Sequence, residues 1–150
     1  MFPRRGITLI ELAITSAIII ITFVAFLFGI VSCFKLAQVS KESFFVLYSA
    51  SAKMEEIRGH NFIDVYNYYN GHTFEVAELP AGSSKGTVTI DNSNPDLLKA
   101  YIAVCWRSSD GRVIGEDANL DGILDPAEDT NPNNNKMDSP VTLASYVTRR

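Results

Sequence analysis

Between Asp110 and Asp138 the chain carries eight acids (Asp110, Glu116, Asp117, Asp121, Asp125, Glu128, Asp129 and Asp138) against two bases, Arg112 and Lys136. Inside that stretch, Asp117-Ala118-Asn119-Leu120-Asp121-Gly122-Ile123-Leu124-Asp125-Pro126-Ala127-Glu128 sets oxygen-bearing side chains at alternate positions, then a glycine, then a closing glutamate. This is the spacing of a loop folded around a hard cation. Asp117, Asn119 and Asp121 would converge their oxygens, Gly122 would take the sharp bend, and the Ile123 carbonyl would add a neutral ligand. Asp125 would act directly or through water, and Glu128 would close the shell with two oxygens. With neither thiolate nor imidazole in the set, calcium is the expected ion.

The same residues admit a second reading. Asp125-Pro126-Ala127-Glu128 also spells a helix N-cap, a proline at the first helical position and a glutamate three residues after the cap. A capped turn among solvated acids needs no ion, but the oxygen-bearing positions in phase exceed what a cap requires. The flanks are not those of an EF-hand: strand-like Arg112-Val113-Ile114 precedes and an Asn/Pro-rich stretch follows. The expectation is an EF-like loop, residues 116–138, set in a sheet protein. Asp129, Asn131, Asn133, Asn135 and Asp138 form a degenerate second copy, with Asn134 where a glycine is wanted and Asp138 one residue late. They would complete the first site, bind a second ion, or solvate the loop. A loop of about 25 residues without regular structure is uncommon in a compact domain. An ion that binds only the folded loop would stabilise it by mass action.

A second chemically odd residue lies near the start. From Ile7 to Phe34 runs an apolar stretch of 28 residues in which Glu11 is the sole charge; the next is Lys35. That exceeds the roughly 20 residues a helix needs to cross a bilayer. Arg4 and Arg5 form a positive flank that would stay cytoplasmic while the rest is exported. A cleavable secretory signal fits poorly, since its apolar core is about half as long. A carboxylate inside the bilayer costs about 2.5–3.5 kcal/mol on insertion scales, so it has a partner or a task. A cut between Gly6 and Ile7 would supply the partner: a new α-amino group, positive near neutral pH. It would lie one turn from Glu11 in its own chain and within reach of Glu11 on a neighbouring copy. A buried ion pair between subunits then sets the register of a helix bundle.

Arg4-Arg5-Gly6, then Ile7-Thr8-Leu9-Ile10-Glu11, then an unbroken apolar helix, resembles the class III signal of type IV pilins and type II secretion pseudopilins. The resemblance implies cleavage after Gly6 by a membrane-embedded prepilin peptidase, and N-methylation of Ile7, where the family most often has Phe. Ala52-Lys53-Met54-Glu55-Glu56-Ile57-Arg58, Val104-Cys105-Trp106-Arg107 and the terminal Arg149-Arg150 are similar to the branch of PilV-like minor pilins. What the resemblance implies is a pilin-like subunit of an inner-membrane, single-pass kind, with a cytoplasmic N-terminus and an exported C-terminal head. It would pass into a periplasmic or extracellular filament serving secretion, adhesion or motility. Its partners would be other pilin or pseudopilin subunits, the peptidase, the inner-membrane assembly platform and the lipid bilayer. Several members carry calcium in the corresponding C-terminal loop.

The elements that must position these groups follow from periodicity. The expected division is a leader over residues 1–6, a membrane-embedded half-helix over 7–34, an amphipathic half-helix over 35–60 and a β-sheet head over 61–150. Leu36, Val39, Leu47, Ala50, Met54 and Ile57, with Ser43 as a weak member, recur at three- and four-residue steps and make one apolar stripe, while Lys41, Glu42, Lys53, Glu55 and Arg58 fall mostly elsewhere. One of Phe44 and Phe45 should face inward. No proline occurs between Pro3 and Pro80, and Gly59 is a sound stop. Phe62 to Gly71 reads as an irregular connector with an Asn-Gly turn. Strands are expected at Thr73–Leu79, Gly86–Asp91, Leu98–Arg107 and Val141–Thr148, with a short piece near Arg112–Ile114. Ile102, Val104 and Trp106 should cover the helix, opposite Tyr101, Ala103 and Cys105. The sum is an α+β fold: a long helix under a small antiparallel sheet.

A formal charge of −4 with no basic face argues against nucleic acid as a partner. His60 and His72 are isolated and no phosphate-binding glycine loop occurs, so no enzyme is expected. Cys33 and Cys105 make no disulfide framework. Two functions remain: a structural filament subunit, or a monomeric, membrane-anchored, calcium-dependent binding module. The Gly6 to Glu11 pattern favours the first, because a monomer has no use for Glu11.

Overall fold

The computed structural model describes residues 8–94, 96–129 and 135–149. Gly6 and Ile7 of the processing signal, and Asn131 and Asn133 of the second acidic set, lie outside them. The chain forms two compact units, Met1–Gln38 and Val39–Arg150. Helix α1, Leu9–Gly59, contributes to both.

In the first unit α1 is apolar and bare. Its most hydrophobic window has a mean hydropathy of 2.8 and none of it is buried, so it is long and apolar enough to cross a membrane. A soluble core helix of that composition would be covered. The hydroxyls along it are satisfied within the helix. Thr15 donates to the Glu11 and Leu12 carbonyls, Ser16 to Ala13, Thr22 to Ile18 and Ile19, and Ser32 to Phe28, all at 2.8–3.0 Å. Such bonds leave no hydroxyl donor that needs water, the condition hydrocarbon imposes.

In the second unit the remaining turns of α1 pack against a five-stranded antiparallel sheet. Glu42, Val46, Ala50, Met54 and Ile57 are the buried positions, at steps of four, four, four and three. This shifts the expected stripe. Ala50, Met54 and Ile57 hold and Val39 is half-buried, but Leu47 is 46% exposed and Val46 takes its place. Leu36, in the first unit, is 73% exposed. Glu42, expected on the outer side, is inside because Ser108 and Ser109 receive its carboxylate. Phe45 packs against the core while Phe44 is exposed.

Helix α1 ends at Gly59 as expected, but the next segment is no irregular connector. It is helix α2, Phe62–Tyr69, capped by Asn61, whose side chain accepts from the Ile63 amide. Phe62, Val65, Tyr66 and Tyr69 stand at i, i+3, i+4 and i+7 and all reach the core, which is what holds so short a helix together. Asn70-Gly71 then turns the chain, with Gly71 at φ +76°.

Strand β1 is only Thr73–Phe74. The chain leaves the ladder before the expected end at Leu79, and the Val76 amide is taken by Ser84 Oγ at 3.0 Å. Strands β2 (Ser84–Asn94), β3 (Leu97–Arg107), β4 (Val113–Ile114) and β5 (Thr142–Thr148) complete the sheet. β3 is central: it pairs with β2 on one side, and with β5 and then β4 on the other. Ile102, Val104 and Trp106 join Val46, Ala50, Met54 and Ile57 in one core, as the alternation predicted. Ala103 and Cys105, on the opposite face, are also buried. A long irregular segment covers that second face, and it carries the acidic loop.

Candidate functional sites

The start of α1 is shaped by Thr8. Its Oγ1 accepts the Glu11 amide at 3.3 Å and its carbonyl accepts the Leu12 amide at 3.1 Å. Thr8 therefore caps the helix and Glu11 lies in the exposed first turn, where a carboxylate complements the positive end of the helix dipole. Thr8-Leu9-Ile10-Glu11 is a capping pattern legible in the sequence; reading it only as apolar residues leading to an acid missed the cap.

Past β4, the chain crosses the outer face of the sheet. Gly115 lies directly over Cys105 at φ +107°, where a side chain would strike the thiol. Burial pushes the Cys105 thiol up to about 11, against the amides of Asp117 and Glu116, which lower it. Glu116 anchors the far end of the segment: its amide donates to the Asp138 carbonyl, and its Oε2 accepts the Asp138 amide, both at 3.0 Å.

Asp117 is wholly buried and organises the loop. Oδ1 accepts the Asp121 amide at 3.1 Å and Oδ2 the Gly122 amide at 2.8 Å. Burial raises its pKa, and the amides of Gly122, Asp121 and Leu120 oppose the rise. Asn119 Oδ1 also accepts the Asp121 amide at 2.9 Å, and Asp121 Oδ1 accepts the Ile123 amide at 2.7 Å. Gly122 makes the expected bend at φ +86°, and Leu120 sits at φ +60°. The bend is seated on the sheet: Thr87 Oγ1 donates to the Gly122 carbonyl at 3.2 Å, and a side chain at 122 would meet Thr73 and Lys85.

Glu128 joins the two ends of the loop. Oε1 accepts the Ala118 amide at 2.9 Å and Oε2 the Asp125 amide at 3.3 Å. The Glu128 and Asp129 amides both donate to the Asp125 carbonyl, so the capped turn spelled by Asp125-Pro126-Ala127-Glu128 is formed. Each of these carboxylates faces loop amides. Among the described residues no three acidic or imidazole side chains gather at one point.

The donors present are hard oxygens on one short loop, and both oxygens of the buried Asp117 carboxylate accept loop amides. Asp117, Asn119, Asp121, the Ile123 carbonyl, Asp125 and Glu128 supply the oxygen donor types that calcium takes, but among the described residues the acids of this set do not converge on one point. Of the second set, buried Asp129 accepts the Asn135 amide at 2.7 Å, and Asn135 takes φ +56°. Asp138 closes on Glu116. These residues fasten the return of the segment.

Comparison with protein-family models, with curated proteins and with solved structures finds no match to this chain.

Proposed function

We propose that this chain is a non-enzymatic structural subunit, a minor pilin or pseudopilin. It is cut after Gly6 and assembled into a type IV pilus or a type II secretion pseudopilus, with calcium fixing the 116–138 loop of its head. The observation that carries the reading is Glu11 in the first turn of a helix whose most apolar window has no buried residue. A chain with so much bare hydrocarbon surface has a bilayer or neighbouring helices as its solvent, and a lone acid there calls for a cation. The α-amino group that cleavage creates on Ile7 of a neighbouring copy is that cation. The exported head is the small antiparallel sheet with its acidic segment, and calcium outside the cytoplasm completes the loop.

A second reading, a monomeric anchored binding module, is favoured by Thr8: its cap gives the first turn a purpose that needs no neighbour. The two separate cleanly. The cap uses the backbone amide of residue 11, so Glu11→Ala keeps it while removing the charge. The filament reading expects Glu11→Ala to insert and be cleaved normally but to incorporate poorly into filaments. Normal incorporation, measured by immunoblotting sheared filaments, overturns it.

A further inference from the structure

The two long edges of the sheet are finished differently. Along β2, the edge is covered: the Gly71 amide donates to Val88, the Val88 amide to His72, and the Ile90 amide to Asn70 Oδ1, at 2.9–3.0 Å. The ladder there is further broken by a bulge between Asp91 and Asn94. Among the described residues, β5 has none of these protections. Its pairing with β3 is regular from Thr142 to Thr148, and the segment contains no charge, proline or glycine. Proteins ordinarily blunt such an edge, because its free amides and carbonyls invite another strand.

The register says which groups are free. The Val104 amide donates to the Val141 carbonyl at 3.2 Å, one step beyond the Ala103–Thr142 pair. Antiparallel pairs alternate, so Leu143, Ser145 and Val147 bond to β3, while Thr142, Ala144, Tyr146 and Thr148 turn their amides and carbonyls outward. Beside the far end of β5 lie two clefts of about 490 and 340 Å³, both lined by Arg58, Val147 and Thr148. The larger also contains Arg149 and His60 and, among the described residues, is lined by no acid, while the smaller holds Glu55, which pairs with Arg58 at 2.7 Å. His60 Nδ1 is buried there without a hydrogen-bond partner among the described residues.

We infer that the free edge of β5 and the cleft ending at Arg58 and Arg149 form a docking site for an extended segment of a partner polypeptide that carries a carboxylate. The strand adds to the outward groups of β5, and its acid lies against Arg149, with Arg58, whose exposed pair with Glu55 is weak, at the same end. A second copy of β5 is the poorer occupant: Thr142–Thr148 contains no carboxylate, so it would bring no opposite charge to Arg149. This site does not depend on the filament reading, since a monomeric module would use it equally.

The test uses the full chain in detergent micelles and a labelled peptide of alternating threonine and valine ending in glutamate, titrated by fluorescence anisotropy. Two further peptides are N-methylated on one or the other alternate set of amides. Strand addition uses one peptide edge, so one methylated series should bind at least about tenfold more weakly and the other nearly as well as the parent. Arg149→Glu, and Ala144→Pro at an outward position, should each weaken binding by a similar factor. No binding, equal binding of both methylated series, or indifference to Arg149→Glu overturns the inference. So does a chain that dimerises in sedimentation and becomes monomeric as Ala144→Pro, which would make the occupant a second copy.

Discussion

Ser108 Oγ donates to Glu42 Oε2 at 2.8 Å inside the head, joining the turn after β3 to helix α1 across 66 residues of sequence. The Ser109 amide donates to the other carboxylate oxygen at 3.2 Å. Glu42 is therefore the pin between helix and turn. Glu42→Ala strands a buried hydroxyl and a part-buried amide, a loss of about 1–3 kcal/mol. Glu42→Gln keeps an acceptor and should lose less. Denaturant unfolding of the detergent-solubilised chain measures both, and equal stability of all three proteins contradicts the pin.

Tyr69 gives the head an alkaline limit. Its ring is core, and its hydroxyl donates to Glu56 Oε1 at 3.0 Å. Burial, then the Glu56 carboxylate, push the Tyr69 pKa up to about 12. The folded state thus holds this proton more tightly than the unfolded state, where tyrosine titrates near 10. Its contribution is complete below about pH 10 and is lost as pH rises toward 12. Unfolding followed by circular dichroism across that window should show stability falling more steeply in the parent than in Tyr69→Phe. Identical slopes would exclude Tyr69 as the group responsible.

Calcium should act through the loop. In the proposed site, adding the ion to chelated protein raises the melting temperature and protects the 116–138 segment from proteolysis, by an amount that grows with ion concentration. Asp117→Asn keeps one acceptor oxygen, which can hold the Gly122 amide while the Asp121 amide retains Asn119 Oδ1, so the loop keeps its bend but loses ligand charge. The expected result is a variant that folds and no longer responds to calcium. A parent protein whose melting curve and protease pattern ignore both ion and chelator would remove calcium from the account.

What was legible in the sequence was what periodicity enforces. The apolar run, the Ile102/Val104/Trp106 face and the Gly59 stop each follow from one-dimensional patterns that tertiary packing did not override. The helix stripe holds at Ala50, Met54 and Ile57 but is one residue off at its start, where Val46 and not Leu47 is buried. Nothing in residues 36–47 says that Glu42 is inside, because its partners, Ser108 and Ser109, come from across the fold. Helix α2 was readable, from Asn61 followed by Phe62, Val65, Tyr66 and Tyr69, but asparagines and tyrosines in a row suggested a loop. In the acidic segment the spacing correctly placed the bend at Gly122. It did not reveal that Glu116 and Asp138 clamp the ends, or that the carboxylates of Asp117, Asp121, Glu128 and Asp129 face loop amides. Those bonds depend on the seat provided by Thr73, Lys85 and Thr87, which lie far away in sequence.

The central claim is that the acid in the apolar helix is matched by an amine made by cleavage. Intact mass spectrometry of the chain purified from cell membranes tests it most directly. The account predicts loss of Met1 to Gly6, with or without one added methyl group on Ile7. A mature chain that keeps all six residues would leave Glu11 with no amine to meet, and the proposed assembly would have no basis.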